Sequence, residues 1–289
     1  MKKLFFVFLC CNTLLGKDVD ESNIIQEKKG NIALRPSQQP SPLFSFGQLI
    51  VDKYTVQPQI DINLPKINNE KNNSIIFSLL YGMTDYLSVF INIPVATNIT
   101  VNNQKSSGLG DIFAQFELLV HSKSDVKSTA QTTLVGTILF PTGSTITIPP
   151  IGNQASGFFL GSTYSYLATD WYYYASGGYQ IATRNQTQKK PGNQLLYQAG
   201  IGHSVGNPWG CIFSWFFEFN GTYEQHTTIN NRKDRNTGGN SIYLGPTVWI
   251  SSEKFFLETG IAFPIVQNLN GKQNKTEYVF GLDIGVTLH

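Results

Sequence analysis

YVFGLDIGVTLH, residues 278–289, closes the chain and supplies the pattern by which the rest is read. Tyr278, Phe280, Leu282, Ile284, Val286 and Leu288 occupy every second position, and Val279, Gly281, Asp283, Gly285, Thr287 and His289 lie between them. Successive side chains of a strand point to opposite faces, so one face here is wholly apolar and the other mostly small or polar. CIFSWFFEFNGTY (211–223) repeats the arrangement, with Cys211, Phe213, Trp215, Phe217, Phe219 and Tyr223 on one face and Ser214, Glu218, Asn220 and Thr222 on the other. In FFLETGIAFPI (255–265) the apolar face is Phe255, Leu257, Ile261, Phe263 and Ile265, opposed by Glu258, Gly260 and Ala262.

Working outward, about twelve such segments begin near Tyr54, Ser74, Tyr86, Asp111, Ser128, Gly157, Trp171, Gln194, Cys211, Ser241, Phe255 and Tyr278. Each is close to the roughly ten residues that carry a strand across a bilayer. The connections alternate. GMTD, ATD, GNPWG and SSEK are tight and HSKSDVK only slightly longer, whereas LPKINNEKNN, ATNITVNNQKSSG, PTGSTITIPPIGNQAS, TRNQTQKKPGN, EQHTTINNRKDRNTGGN and VQNLNGKQNKTE are long and polar. Short turns on one side and long loops on the other are the signature of an outer-membrane up-and-down barrel. A secreted sandwich also alternates apolar and polar positions, but nothing makes its loop lengths alternate. Aromatic residues at strand ends, such as Tyr54, Tyr81, Trp215, Tyr223, Phe255 and Tyr278, suit the girdles of a membrane barrel. The fold expected is an all-β transmembrane antiparallel barrel of about twelve strands, with both termini on the periplasmic side.

Composition agrees with this reading. Of 289 residues only 14% are charged, 13% are aromatic and 26 are Gly. After the first 16 residues no apolar run approaches the roughly 18 positions of a spanning helix. A net charge of +2 gives no electrostatic case for nucleic acid. The opening MKKLFFVFLCCNTLLGK, with Lys2 and Lys3 before the apolar run Leu4 to Cys11, reads as a secretory signal peptide over residues 1–16. Cys10 and Cys11 lack the small preceding residue of a lipoprotein site, and removal of the leader keeps only Cys211, which excludes a disulfide framework. Residues 17–42, charged early and broken by Pro36, Pro40 and Pro42, form a short N-terminal periplasmic arm without a core of its own, and residues 43–289 are assigned to the barrel.

YGMTDYLSVFINIPV (81–95), SGLGDIFAQFELLV (107–120) and the FPTG of residues 140–143 resemble the outer-membrane β-barrel transporter family named for a meta-pathway of phenol degradation. YYYASGGYQ (172–180) fits its later half. These motifs mark hairpins, not chemistry. The resemblance implies a barrel of this size and passage of small, hydrophobic or aromatic solutes. Two departures stand out: Gln115, Phe116 and Glu117 replace a basic-aromatic-basic group, and the chain ends Leu288, His289 where many outer-membrane proteins end in an aromatic residue. The C-terminal strand remains the element offered to the barrel assembly machinery, and outer-membrane lipid is the partner of the apolar face.

No nucleophile elbow, no Gly-rich loop leading into a helix and no Cys/His cluster occurs, so neither an enzyme, a cofactor nor a metal is expected. His203 and Ser204 are adjacent, which sends them to opposite faces of a strand and removes them as a catalytic pair. The lumen carries the readable chemistry. Asp61, Glu117, Glu218, Glu258 and Asp283 are expected to face inward, with Asp111 near the outer mouth, while Lys and Arg concentrate in loops and arm. Rings of acidic residues select cations, so the expectation is a narrow passive channel for cationic or neutral small solutes. The competing reading is a structural or surface-interaction barrel with a closed lumen and partner-binding loops. If the last loop is centred near Gly271, Asp283 faces Gly260, Glu258 lies diagonally, and Gly260 and Gly285 leave open space beside the acids.

Overall fold

A computed structural model describes residues 36–47, 50–125, 127–144, 146–206 and 210–288. The signal peptide and residues 17–35 of the expected arm lie outside the described residues. Among the described residues sixteen strands occur in chain order: β1 (Val56–Ile67), β2 (Glu70–Gly82), β3 (Leu87–Val101), β4 (Gln104–Leu109), β5 (Phe113–Asp125), β6 (Ser128–Leu139), β7 (Gly157–Ala168), β8 (Trp171–Ala182), β9 (Lys189–Lys190), β10 (Gln194–Gly206), β11 (Ile212–Glu224), β12 (Thr228–Ile229), β13 (Arg232–Lys233), β14 (Gly239–Ser251), β15 (Phe255–Leu269) and β16 (Thr276–Val286). Twelve of these, all but β4, β9, β12 and β13, build an antiparallel wall in which each strand pairs with the next. The pairing of β1 with β16 closes it, so the wall has no free edge and its backbone polar groups are satisfied within it.

The expected starts fall within a few residues of the observed ones. The tips of the hairpins differ more. The stretches read as loops at 64–73 and 96–108 extend the strands: β1 and β2 are joined by Asn68 and Asn69 alone, and β3 and β4 by Asn102 and Asn103. Asn102 and Asn103 have φ values of 50° and 63°, and Asn230 and Asn231, between β12 and β13, have 49° and 64°. Two positive φ values in succession make the turn whose twist matches that of the flanking strands, and Asn tolerates it. β4 pairs with the outer half of β3 and β5 with its inner half, so the fourth wall strand is broken at Gly110–Ile112. β9, β12 and β13 form a three-stranded sheet between the long loops that follow β8 and β11.

The two faces divide as the alternation requires. Phe77, Leu79, Ile91, Phe158, Leu160, Phe217 and Phe263 are exposed on the outer wall. At its short-turn end Trp171 stacks on Tyr173, 6.2 Å between centroids, and His203 packs edge-on against Trp171. The inner face is less polar than the sequence pattern implied. Tyr172, Tyr174, Phe216, Trp249 and Phe256 form a buried cluster. Each of three inward glycines makes room for a cross-strand ring: a Cβ on Gly200 would meet Tyr174 at 2.3 Å, one on Gly202 would meet Phe216 at 2.2 Å, and one on Gly285 would meet Phe256 at 2.2 Å. Gly285 therefore leaves no open space beside the acids, and Gly260 is likewise covered by Thr247.

The chain before β1 is no part of the wall. From Pro36 it enters the barrel at the short-turn end, where the Ser37 hydroxyl donates to the carbonyls of Ser252 and Glu253 in the β14–β15 turn. It rises to Phe46 and Gly47, and Val51 is back beside Ser88, near the start of β3. Ser37, Pro40, Pro42, Ile50 and Val51 are buried. The segment assigned to an arm and to the first residues of the barrel is, over its described residues 36–47 and 50–52, an inserted loop inside the lumen. Its Pro and Gly content suits a chain that crosses a confined space without a ladder partner.

Candidate functional site: the lumen

Glu218 sits at the middle of β11 and is fully buried. Its two carboxylate oxygens accept from consecutive backbone N–H groups of the inserted loop, Leu43 at 3.0 Å and Phe44 at 3.1 Å. The Tyr174 hydroxyl donates to it at 3.1 Å. Ser45 adds a hydrogen bond to Asn220 at 2.7 Å and shares one with Tyr174 at 2.9 Å. One residue further, the Phe46 N–H donates to Gln198 at 3.0 Å, and its ring packs edge-on against Phe159 with centroids 4.7 Å apart. Gly47 has φ 91° and lies so close to Thr163 that a Cβ would come within 2.1 Å of its hydroxyl. Glu218 is thus the anchor of the inserted loop, a role the strand pattern could not reveal because its partners lie far off in sequence. A buried carboxylate is expected to be hydrogen-bonded, and this one is.

Glu117 is also fully buried and accepts from the Gln115 side-chain amide at 2.7 Å. The departure from the family's basic group therefore places an amide–carboxylate pair on the inner face of β5. Asp111, expected near the outer mouth, is engaged by a loop. Its oxygens accept from the backbone N–H of Gly143 at 2.8 Å and of Asn153 at 2.9 Å, while Thr142 accepts from the N–H of Ile112 and donates to the carbonyl of Gly110. A Cβ on Gly143 or on Gly152 would fall within 3 Å of Asp111. GLGD and FPTG are therefore two halves of one clamp that folds the 140–156 loop against the broken strand.

Asp61, Asp283 and Glu258 form a row across β1, β16 and β15. Asp61 is directly opposite Asp283, and Asp283 directly opposite Glu258. Glu258 is therefore not diagonal to Asp283 as expected: Gly260 faces Gly281, because the hairpin is centred between Asn270 and Gly271, one residue earlier than a pairing of Asp283 with Gly260 would require. Gln267 fixes this register by accepting from the Thr276 N–H and donating to its carbonyl, each at 2.9 Å. Directly opposed side chains have Cβ atoms about 4.5–5.5 Å apart, closer than the diagonal would give. Ser78 donates to Asp61 at 3.1 Å. One oxygen of Glu258 (Oε1) and one of Asp283 (Oδ1) are buried without a hydrogen-bond partner among the described residues.

A cavity of about 340 Å³ lies between the inserted loop and this side of the wall, with Gln59, Asp61, Asn92, Trp249, Phe256 and Asp283 among its lining residues. Among the described residues, Lys and Arg are confined to loops, turns and strand ends. No group of three or more His, Cys, Asp or Glu among those residues is placed to hold a metal ion. His203 packs on the outer wall, whereas Ser204 shares a hydrogen bond with Ser214 on the inner one.

The profile of the family described as "Putative MetA-pathway of phenol degradation" matches residues 41–263. An outer membrane channel from Pseudomonas putida F1 superposes with a TM-score of 0.66 at 12% identity, over 86% of this chain and 99% of that one. The NanC porin gives 0.51 at 8% identity, over 79% and 100% of the two chains. The β domain of the Bordetella autotransporter BrkA gives 0.50 at 11% identity, over 82% and 100%. No curated protein matches by sequence.

Proposed function

The chain belongs to the MetA-pathway family of phenol degradation, and on that premise we propose that it is a narrow outer-membrane channel for passive passage of small neutral or cationic solutes. The observation that carries the reading is the cavity between inserted loop and wall, whose polar lining is mainly amides and carboxylates set among apolar side chains, while basic side chains stay at the rims. Asp61, Glu117, Glu258 and Asp283 act as the inward charges, and acidic linings favour cations. Glu218 serves to hold the inserted loop, which narrows the passage. The family's name supports solutes of hydrophobic or aromatic kind, and the inward rings of Trp249 and Phe256 are compatible with them. Lipid contacts the outer wall, and the strand ending at Val286 is the one offered to the assembly machinery.

A second reading draws on a different observation. The aromatic cluster and the inserted loop fill the short-turn half of the barrel, and two long loops join in a small sheet, as a closed barrel with a surface role would have. Conductance of the refolded full chain in planar bilayers separates the two. The channel reading expects discrete openings that favour cations in a salt gradient and grow when residues 17–47 are deleted. Absence of conductance from both proteins would leave the surface role.

A further inference from the structure

Several buried polar atoms without partners gather on three neighbouring strands. Trp249 Nε1 on β14, Glu258 Oε1 on β15 and Asp283 Oδ1 on β16 all lack a hydrogen-bond partner among the described residues. Register binds them together: Trp249 is directly opposite Glu258, and Glu258 directly opposite Asp283. Glu258 is only 1% exposed, so its bare oxygen faces neither bulk water nor lipid. Buried polar groups are nearly always paired, and a concentration of unpaired ones calls for a partner that is not protein.

The chemistry of that partner follows from what surrounds it. Three carboxylates in a row, Asp61, Asp283 and Glu258, cannot all stay ionised in so buried a place unless a positive charge lies among them. Chelation of a metal ion is not their geometry. Beside the acids Trp249 stacks on Phe256, with centroids 4.7 Å apart and planes 3° from parallel, and both rings line the 340 Å³ cavity with Asp61 and Asp283. A cavity of that size is at the lower end of those that hold small organic ligands. Aromatic faces attract organic cations, and carboxylates accept from their N–H groups.

We propose that the lumen holds a binding site for a small organic ammonium ion, with Asp61, Asp283 and Glu258 as its charge partners and Trp249 and Phe256 as its aromatic wall. The site rests on the channel reading and deepens it, since it names the class of solute that dwells in the passage. Asp61 and Asp283 meet the ion at the cavity surface. Glu258 stands behind Asp283 and adds its charge to the same point. An amide or hydroxyl solute of equal size gains the apolar contacts but not the charge, so the site discriminates by the ammonium group.

The test is calorimetric titration of the full refolded chain in detergent micelles, with phenethylammonium as probe and 2-phenylethanol as its neutral counterpart. The ammonium ion should bind about tenfold or more tightly than the alcohol, the equivalent of one decade in Kd. The double variant E258Q/D283N should lose that preference while it keeps the fold, checked by a shift in gel mobility on boiling. If the double variant does not fold, D61N replaces it and should narrow the preference in the same direction. Equal affinities for the two probes, a preference unchanged in the folded variants, or no binding of phenethylammonium would each overturn the site. Because binding is read without a bilayer, a protein that binds the ion yet conducts nothing would retain the site and refute the channel.

Discussion

Replacement of Glu218 by Ala should release the inserted loop without opening the wall. The structure sets the size of the effect. Two charge-assisted hydrogen bonds, from the N–H groups of Leu43 and Phe44, are removed together, along with the bond from Tyr174. Hydrogen bonds to charged groups contribute about 1.5–3 kcal/mol each, and the freed N–H groups recover much of that from water once the loop leaves. A net loss on the order of 3 kcal/mol is therefore expected from the pair, and at 1.4 kcal/mol per decade it shifts the docked–undocked ratio roughly a hundredfold. Ser41 makes a convenient reporter. It lines the cavity and is half-buried, so a thiol there reacts slowly with a bulky water-soluble maleimide while the loop is docked and faster once the loop leaves. In a Cys211→Ser background, Ser41→Cys should label several times faster, at most about a hundredfold, when Glu218→Ala is added, with the heat-dependent gel shift unaltered. An unchanged labelling rate would refute the assignment of Glu218 as anchor. Loss of the gel shift would instead mean that Glu218 supports the wall itself.

Gly202→Leu should abolish the heat-resistant folded band or lower its melting temperature by many degrees, because a Cβ there already meets the Phe216 ring at 2.2 Å, and Phe216→Ala should restore much of the loss. Asp111→Ala should leave the wall intact but let proteinase K cut the 140–156 loop several times faster, since both N–H donors to Asp111 lose their acceptor. Trypsin on intact cells should cleave first at Arg232, Lys233 and Arg235, which are exposed, and later at Lys189 and Lys190, which are half-buried in the loop sheet. Cleavage confined to Lys53 and Lys254 at the short-turn end would invert the topology.

Much of the wall was legible because lipid enforces it. A strand that faces hydrocarbon on one side must alternate, and 278–289 and 211–223 display that period without interruption. The inner face is freer, and there the reading thinned. Phe216 and Phe256 lie at inward positions that the pattern treated as small or polar, and only the opposite Gly202 and Gly285 betray them. Aromatic residues set against glycines across a strand pair are a signal that can be sought once register is known, and register was the missing quantity. A shift of the last hairpin by one residue in its centre moved Glu258 from a diagonal to a direct neighbour of Asp283. The inserted loop was still less legible. Pro36, Pro40 and Pro42 mark a chain unable to join a ladder, but the Glu218 partners of Leu43 and Phe44 lie more than 170 residues away. No local pattern encodes such a contact. The GLGD and FPTG elements were visible as motifs, and their shared clamp accounts for both.

The row of acids straddles the joint between the two ends of the polypeptide. Asp61 belongs to the first wall strand and Asp283 to the last, and they come face to face only when those strands meet. A curled but unsealed sheet would keep the two carboxylates apart in water. Sealing it sets the two carboxylates directly opposite each other, which costs this seam part of its pairing energy wherever both are ionised. Cations in the periplasm would ease the last step by screening the pair, so maturation of this barrel should respond to ionic conditions that leave earlier strand pairing indifferent. Only the sealed barrel sets all three acids side by side, so the meeting of Asp61 with Asp283 marks a finished wall.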